Sequence, residues 1–87
     1  MNAPIRPAPA LPLIVTEFSK NKRESFRVTL DRFKGTVVVD VRVFFKDGDA
    51  MRPTRSGIST SIKHLRALAH ALNKTVEQAE EQGLIDG

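Results

Sequence analysis

The pattern of apolar residues predicts an α+β domain: four antiparallel strands followed by one C-terminal helix. Three observations predict it. Between residues 25 and 46 apolar side chains recur at every second position, the period of a half-buried strand. Two glycine turns, Phe33-Lys34-Gly35 and Asp47-Gly48, punctuate that pattern as hairpin turns do. After residue 60 the period shifts to alternating threes and fours, that of an amphipathic helix.

The chain has 87 residues, room for one small domain. Four of its five prolines fall in residues 1–12. Proline lacks an amide donor and fixes its own φ, so this segment reads as a flexible Pro/Ala-rich tail ahead of a single domain over residues 13–87. Residues 13–18 are rich in β-branched side chains and give way to the polar turn Lys20-Asn21-Lys22-Arg23-Glu24. In residues 25–31, Phe26, Val28 and Leu30 face one way and Arg27, Thr29 and Asp31 the other. Residues 36–46 form the strongest strand. One face carries Val37, Val39, Val41, Val43 and Phe45, the other Thr36, Val38, Asp40, Arg42 and Phe44. A short fourth strand over residues 50–54 follows, with Pro53 marking an edge or an early end.

Ile62, Leu65, Ala69, Leu72, Val76 and Ala79 make the seam of the helix. Ser61 fits an N-cap and Gly83 a C-terminal stop. Asn73-Lys74-Thr75 with Gln78 resembles a fresh capping box, which would restart the helix at Thr75; the unbroken seam favours one helix. One helix covers only one face of a sheet, and about 70 folded residues lie near the lower limit for a self-sufficient core. The seam therefore predicts a homodimer, its first half on its own sheet and Leu72, Val76 and Ala79 in a two-fold contact.

Fourteen Lys and Arg against ten Asp and Glu give a net charge of +4. The excess is concentrated: residues 20–55 hold ten basic and five acidic side chains, while residues 58–87 hold three and four. The middle segment is the candidate surface for a polyanion. Cysteine is absent, which excludes disulfides and thiolate chemistry and is compatible with a reducing cytoplasm. No apolar run approaches the roughly 20 residues of a membrane span, and no signal-peptide pattern opens the chain, so no membrane partner is expected.

Enzyme chemistry finds no support. His64 and His70 are six residues apart, about 240° around a helix, and cannot share a metal as an i, i+4 pair would. Ser56, Ser59 and Ser61 lack a nucleophile-elbow context. The glycines are scattered, without a phosphate loop, and Asp47 and Asp49 flank a turn glycine. The expectation is no catalysis, no metal and no cofactor. A protein that holds single nucleic-acid strands, by contrast, needs cations along the phosphates and flat side chains for base stacking. Phe33, Lys34, Arg42, Phe44, Phe45, Lys46, Arg52 and Arg55 supply both types on or beside the strands.

At these residues the sequence resembles a known family. The stretch Phe33-Lys34-Gly35-Thr36-Val37-Val38-Val39-Asp40-Val41-Arg42-Val43-Phe44-Phe45 is similar to the signature of the positive cofactor 4 transcriptional coactivators: F-K-G, a β-branched run, Asp, an aliphatic, Arg and paired aromatics. Met51-Arg52-Pro53-Thr54-Arg55-Ser56-Gly57-Ile58-Ser59 resembles the family's M-K-P-x-R-x-G-I-S. The resemblance runs from about Phe18 to about Leu72. It implies a curved four-stranded antiparallel sheet with one helix, a homodimer, and binding of single-stranded or melted DNA with little sequence preference.

Carried over by position, the resemblance implies base stacking on Phe33 and Phe45, the latter where the family usually has tryptophan. Phosphate contacts fall to Lys34, Arg42, Arg52 and Arg55. Thr36 and Ser56 stand where the eukaryotic pattern has lysine. Strict alternation sets Phe45 opposite to Arg42, so for both to meet one strand of DNA the long strand has to bulge or twist near Phe44. A proline-alanine tail replaces the serine-rich acidic arm of the eukaryotic coactivators, which looks like a bacterial or phage-type member. The expected partners are single-stranded DNA, a second copy of the chain, and RNA polymerase or other transcription or repair proteins. The expected location is the nucleoid-bearing cytoplasm, or the nucleus for a eukaryotic source. A scaffold binding a polymerase or regulator, and an RNA-binding module, are the alternative readings.

Overall fold

The computed structural model describes residues 10–86. Most of the proline-rich tail, residues 1–9, lies outside the described residues. Four strands, β1 (Leu13–Ser19), β2 (Glu24–Phe33), β3 (Thr36–Asp47) and β4 (Ala50–Ser61), form one open antiparallel sheet in the order of the chain. A 3-10 turn (Ile62–His64) leads into a single helix, α1 (Leu65–Glu81).

Each turn has a local cause. After β1, the Asn21 carboxamide oxygen accepts from the Arg23 and Glu24 amides, both at 2.9 Å, while its nitrogen donates to Glu24 Oε1 at 2.8 Å. One side chain thus closes the loop as a backbone turn would. Between β2 and β3, Lys34 and Gly35 have φ of 50° and 79°, the paired positive values of the tight turn that matches strand twist. That turn sets Phe33 opposite Thr36 and fixes an unbroken register from there to Glu24 opposite Phe45.

β4 corrects the expected short strand, since it runs on to Ser61. Its pairing with β3 jumps from Arg42–Gly57 to Phe44–Pro53, so Thr54, Arg55 and Ser56 together oppose Val43. Thr54 Oγ1 donates to the Val43 carbonyl at 2.8 Å and accepts from the Ser56 amide at 3.1 Å, satisfying backbone groups that the bulge leaves without ladder partners. The expected bulge in the long strand is thereby corrected too: β3 is regular against β2, and the extra residues belong to β4.

Gly57 is required where β4 rejoins the ladder. Its φ is 154°, and a Cβ built there would meet the Val41 carbonyl oxygen and lie 2.8 Å from Arg42 Cα. Only a residue without a side chain lets the two strands approach that closely.

The core is thin. Among the described residues only Val39 and Val43 are buried hydrophobics, at 2% and 5% exposure. They sit on the face of β3 whose β2 neighbours are Leu30 and Phe26, and Phe26 packs against Phe18 with ring centroids 5.2 Å apart. Yet Phe18 and Ile58 on the same face are half or more exposed.

α1 is one continuous helix. The Thr75 hydroxyl donates to the Ala71 carbonyl one turn back, so it caps nothing. Ser61 caps the 3-10 turn rather than α1, accepting from the Lys63 amide at 3.4 Å. At the other end Gly83 has φ of 70°, and the Leu84 and Gly83 amides donate to the Ala79 and Glu80 carbonyls. This crossed pair is the glycine stop foreseen for this end. The helix buries none of its residues. Its first half, expected to lie on the sheet, is no more than half-buried at Leu65 and Leu68. The radius of gyration is 16.1 Å, against about 12 Å for a compact chain of this length.

Candidate nucleic-acid interface

Alternation along β3 separates two sheet faces, and the register carries the separation across all four strands. One face is apolar. The other is polar, with rows Glu17–Arg27–Arg42–Gly57 and Ile14–Thr29–Asp40–Ser59 crossing it strand by strand. At the end of this polar face nearest the β2–β3 turn lies an open hollow of about 640 Å³, lined by Phe33, Lys34, Thr36, Val38, Asp40 and Arg42 with Ser59, Thr60 and Ser61 of β4.

Three of the sequence-predicted site residues meet there. Phe33 is 63% exposed and presents a flat apolar surface. The Lys34 ammonium stands 5.4 Å from its ring centroid. The Arg42 guanidinium is held from two sides. Nε and Nη2 donate to the Asp40 carboxylate at 3.0 and 2.8 Å, and Nη1 donates to the Thr54 carbonyl at 3.0 Å. Hydrogen bonding to Asp40 raises the Arg42 pKa above its ordinary value, although burial opposes the shift. Arg42 is a fixed charge, oriented by the β4 bulge, with one N–H on each terminal nitrogen uncommitted.

The other predicted residues lie elsewhere. Phe45 is nine residues along β3 from Thr36, roughly 30 Å from the β2–β3 turn. It lines a separate hollow of about 720 Å³ with Asn21, Lys22, Arg23, Glu24 and Lys46. The Lys46 amide donates to the Arg23 carbonyl at 2.8 Å, which ties the β1–β2 turn to this end of β3. Glu24 beside it has a lowered pKa, first from the Asn21 hydrogen bond and then from Lys20. Arg52 stands directly across from Phe45 on β4 and pairs with Asp47. Arg55 is exposed within the bulge. On α1, Leu72 and Val76 are 57% and 46% exposed, and Ala79 is half-buried.

Sequence reasoning passed over three basic residues. Lys22 and Arg23 line the hollow of Phe45 beside Lys46. Arg27 stands directly opposite Arg42 on the polar face. Its guanidinium lies 4.0 Å over the Phe44 ring, and Nη2 reaches Glu17 at 3.4 Å. The signal for Arg27 was present: once the turn pairs Phe33 with Thr36, counting back six residues on each strand pairs Arg27 with Arg42. Among the described residues no group of His, Asp or Glu is gathered to hold a metal ion, and no helix is long and apolar enough to cross a membrane.

An open four-stranded antiparallel sheet with one trailing helix is the architecture of two kinds of solved relative. A PC4 homologue from Burkholderia pseudomallei is similar with a TM-score of 0.71 and 25% identity, over 80% of this chain and 96% of that one. A second crystal form of it gives 0.69 and 26%, over 75% and 97%. A bacteriophage T5 homologue of the eukaryotic transcription coactivator PC4, implicated in recombination-dependent DNA replication, shares the fold with a TM-score of 0.61 and 24% identity, over 79% of this chain and 78% of that one. No curated protein sequence matches the chain. The fold and these solved relatives define a PC4-like protein of the bacterial or phage type. The family described as Transcriptional Coactivator p15 (PC4) matches residues 20–71, and the chain belongs to it.

Proposed function

We propose that this chain binds single-stranded or melted DNA with little sequence preference, as a homodimer, in transcription or in replication and repair. The observation that carries the reading is the hollow where the exposed Phe33 ring, Lys34 and the oriented Arg42 stand together. A base stacks on the ring while the cations hold its phosphates, and neither contact depends on base identity. Phe45, with Lys22, Arg23 and Lys46, is the second platform at the far end of β3, and Arg52 and Arg55 supply further phosphate contacts. The solved relatives support the setting: one is a PC4 homologue and the other is implicated in replication.

What one chain leaves open supports pairing with a second copy. Leu72 and Val76 on the helix, and Phe18 and Ile58 on the apolar face, are exposed apolar surface in a chain whose core holds two buried valines. Pairing about a two-fold axis buries such a surface and doubles the number of platforms and cations.

Titration of oligo-dT and of a matched duplex across a salt series tests the reading. Tighter binding of the single strand, weakening steeply with salt, is expected. Equal affinity for both, or none for either, contradicts it.

A further inference from the structure

We infer that Arg27 is a second phosphate-binding arginine, acting beside Arg42 on the polar face of the sheet; the inference rests on the single-strand reading above. Like charges placed directly opposite on neighbouring strands repel, and Arg27 and Arg42 are such a pair. Their surroundings differ. Arg42 has Asp40 in a close two-point contact. Among the described residues Arg27 has only Glu17 as an ionic partner, through one contact at 3.4 Å, and its Nε is buried without a hydrogen-bond partner. An arginine donor left in that state is costly. What holds Arg27 in place is stacking on Phe44 at 4.0 Å, which orients a guanidinium without consuming its N–H groups.

The result is a pair of arginines directly across from each other on β2 and β3, one anchored and one stacked, on the face that carries the hollow of Phe33. A phosphodiester placed there meets both charges and relieves their repulsion, accepting from the terminal N–H groups of Arg27 rather than from its buried Nε. Two planar forks suit phosphate oxygens better than two ammonium groups would. Glu17 is then the competitor that the phosphate displaces.

The experiment is oligo-dT binding by the full chain across a salt series, for wild type, Arg27→Gln, Arg27→Lys and Glu17→Gln, with Glu77→Gln on the helix as a control for net charge. Arg27→Gln is expected to bind roughly tenfold more weakly, the loss of a charged hydrogen bond. Its salt slope should be shallower by about 0.7, the loss of one phosphate contact. Arg27→Lys should keep the slope and lose part of the affinity. Glu17→Gln should bind more tightly than Glu77→Gln. Should Arg27→Gln fail to fold, the Glu17 and Glu77 comparison decides. Wild-type binding with an unaltered Arg27→Gln, or equal behaviour of Glu17→Gln and Glu77→Gln, overturns the inference alone. No oligo-dT binding by wild type overturns the proposed function and this inference with it.

Discussion

The polar and apolar faces of the sheet differ in how far the chain completes their chemistry. On the polar face the two central arginines have partners of unequal strength. Asp40 holds Arg42, Glu17 touches Arg27, and Thr54 satisfies the bulge beside them. Among the described residues of the apolar face only Val39 and Val43 are buried, and Phe18 and Ile58 remain open. α1 buries none of its own residues. The same alternating strand, β3, feeds both faces. The difference teaches that a small sheet orders its own polar pairs through register alone, whereas burying apolar area needs a second layer.

The largest effect should come from breaking the open apolar surface. Leu72→Glu puts a charge where a two-fold contact would bury it, a cost on the order of 3–5 kcal/mol without a partner. Sedimentation should show wild-type dimers and mutant monomers, with oligo-dT affinity falling more than tenfold. Next comes the seam between the faces. Gly57→Ala forces a Cβ against the β3 backbone and should lower stability by about 2–3 kcal/mol in a thermal or urea melt.

Two phenylalanines on opposite faces of β2 sharpen the comparison further. Phe33→Ala removes an exposed ring and should weaken oligo-dT binding roughly tenfold without changing the melt. Phe26→Ala removes the partner of Phe18 and should cost roughly 2 kcal/mol of stability in the same melt. Interchanged outcomes would mean that the faces have been assigned the wrong way round.

The smallest effect concerns the β1–β2 turn. The Asn21 hydrogen bond, then Lys20, lowers the Glu24 pKa. A group depressed in the folded state adds stability above its unfolded pKa, and that stability is lost as pH falls through the folded value. Asn21→Ala should therefore flatten the decline in stability of wild type below about pH 4. An unchanged acid limb would show that the turn carries no pH dependence.

Much of this arrangement is legible in the sequence. Alternation in residues 25–46 predicts β2, β3 and the sorting of their side chains, and glycine turns predict both later hairpins. The far half of β4 is not legible. Pro53-Thr54-Arg55-Ser56-Gly57 has no alternation because the bulge interrupts it, and the Thr54 hydroxyl that satisfies the bulge carries no periodic signal. Phe33, Lys34 and Arg42 meet because a two-residue turn fixes their register. Phe45 belongs to the other hollow because β3 does not bulge. Lys22 and Arg23 read as an ordinary polar turn, but the register that pairs Glu24 with Phe45 also sets Arg23 opposite Lys46, and the Lys46 amide closes that end on the Arg23 carbonyl. The seam of α1 is plain in the sequence, but what it covers depends on three-dimensional placement.

The central claim is that the hollow of Phe33 on the polar face, and not the apolar surface around Phe18 and Phe26, receives the nucleic acid. Photo-crosslinking to oligo-dT carrying 5-bromodeoxyuridine, with the adducts located by mass spectrometry, tests it most directly. The account predicts adducts at Phe33 and none at Phe18 or Phe26. Adducts at Phe18 or Phe26 with none at Phe33 would contradict it.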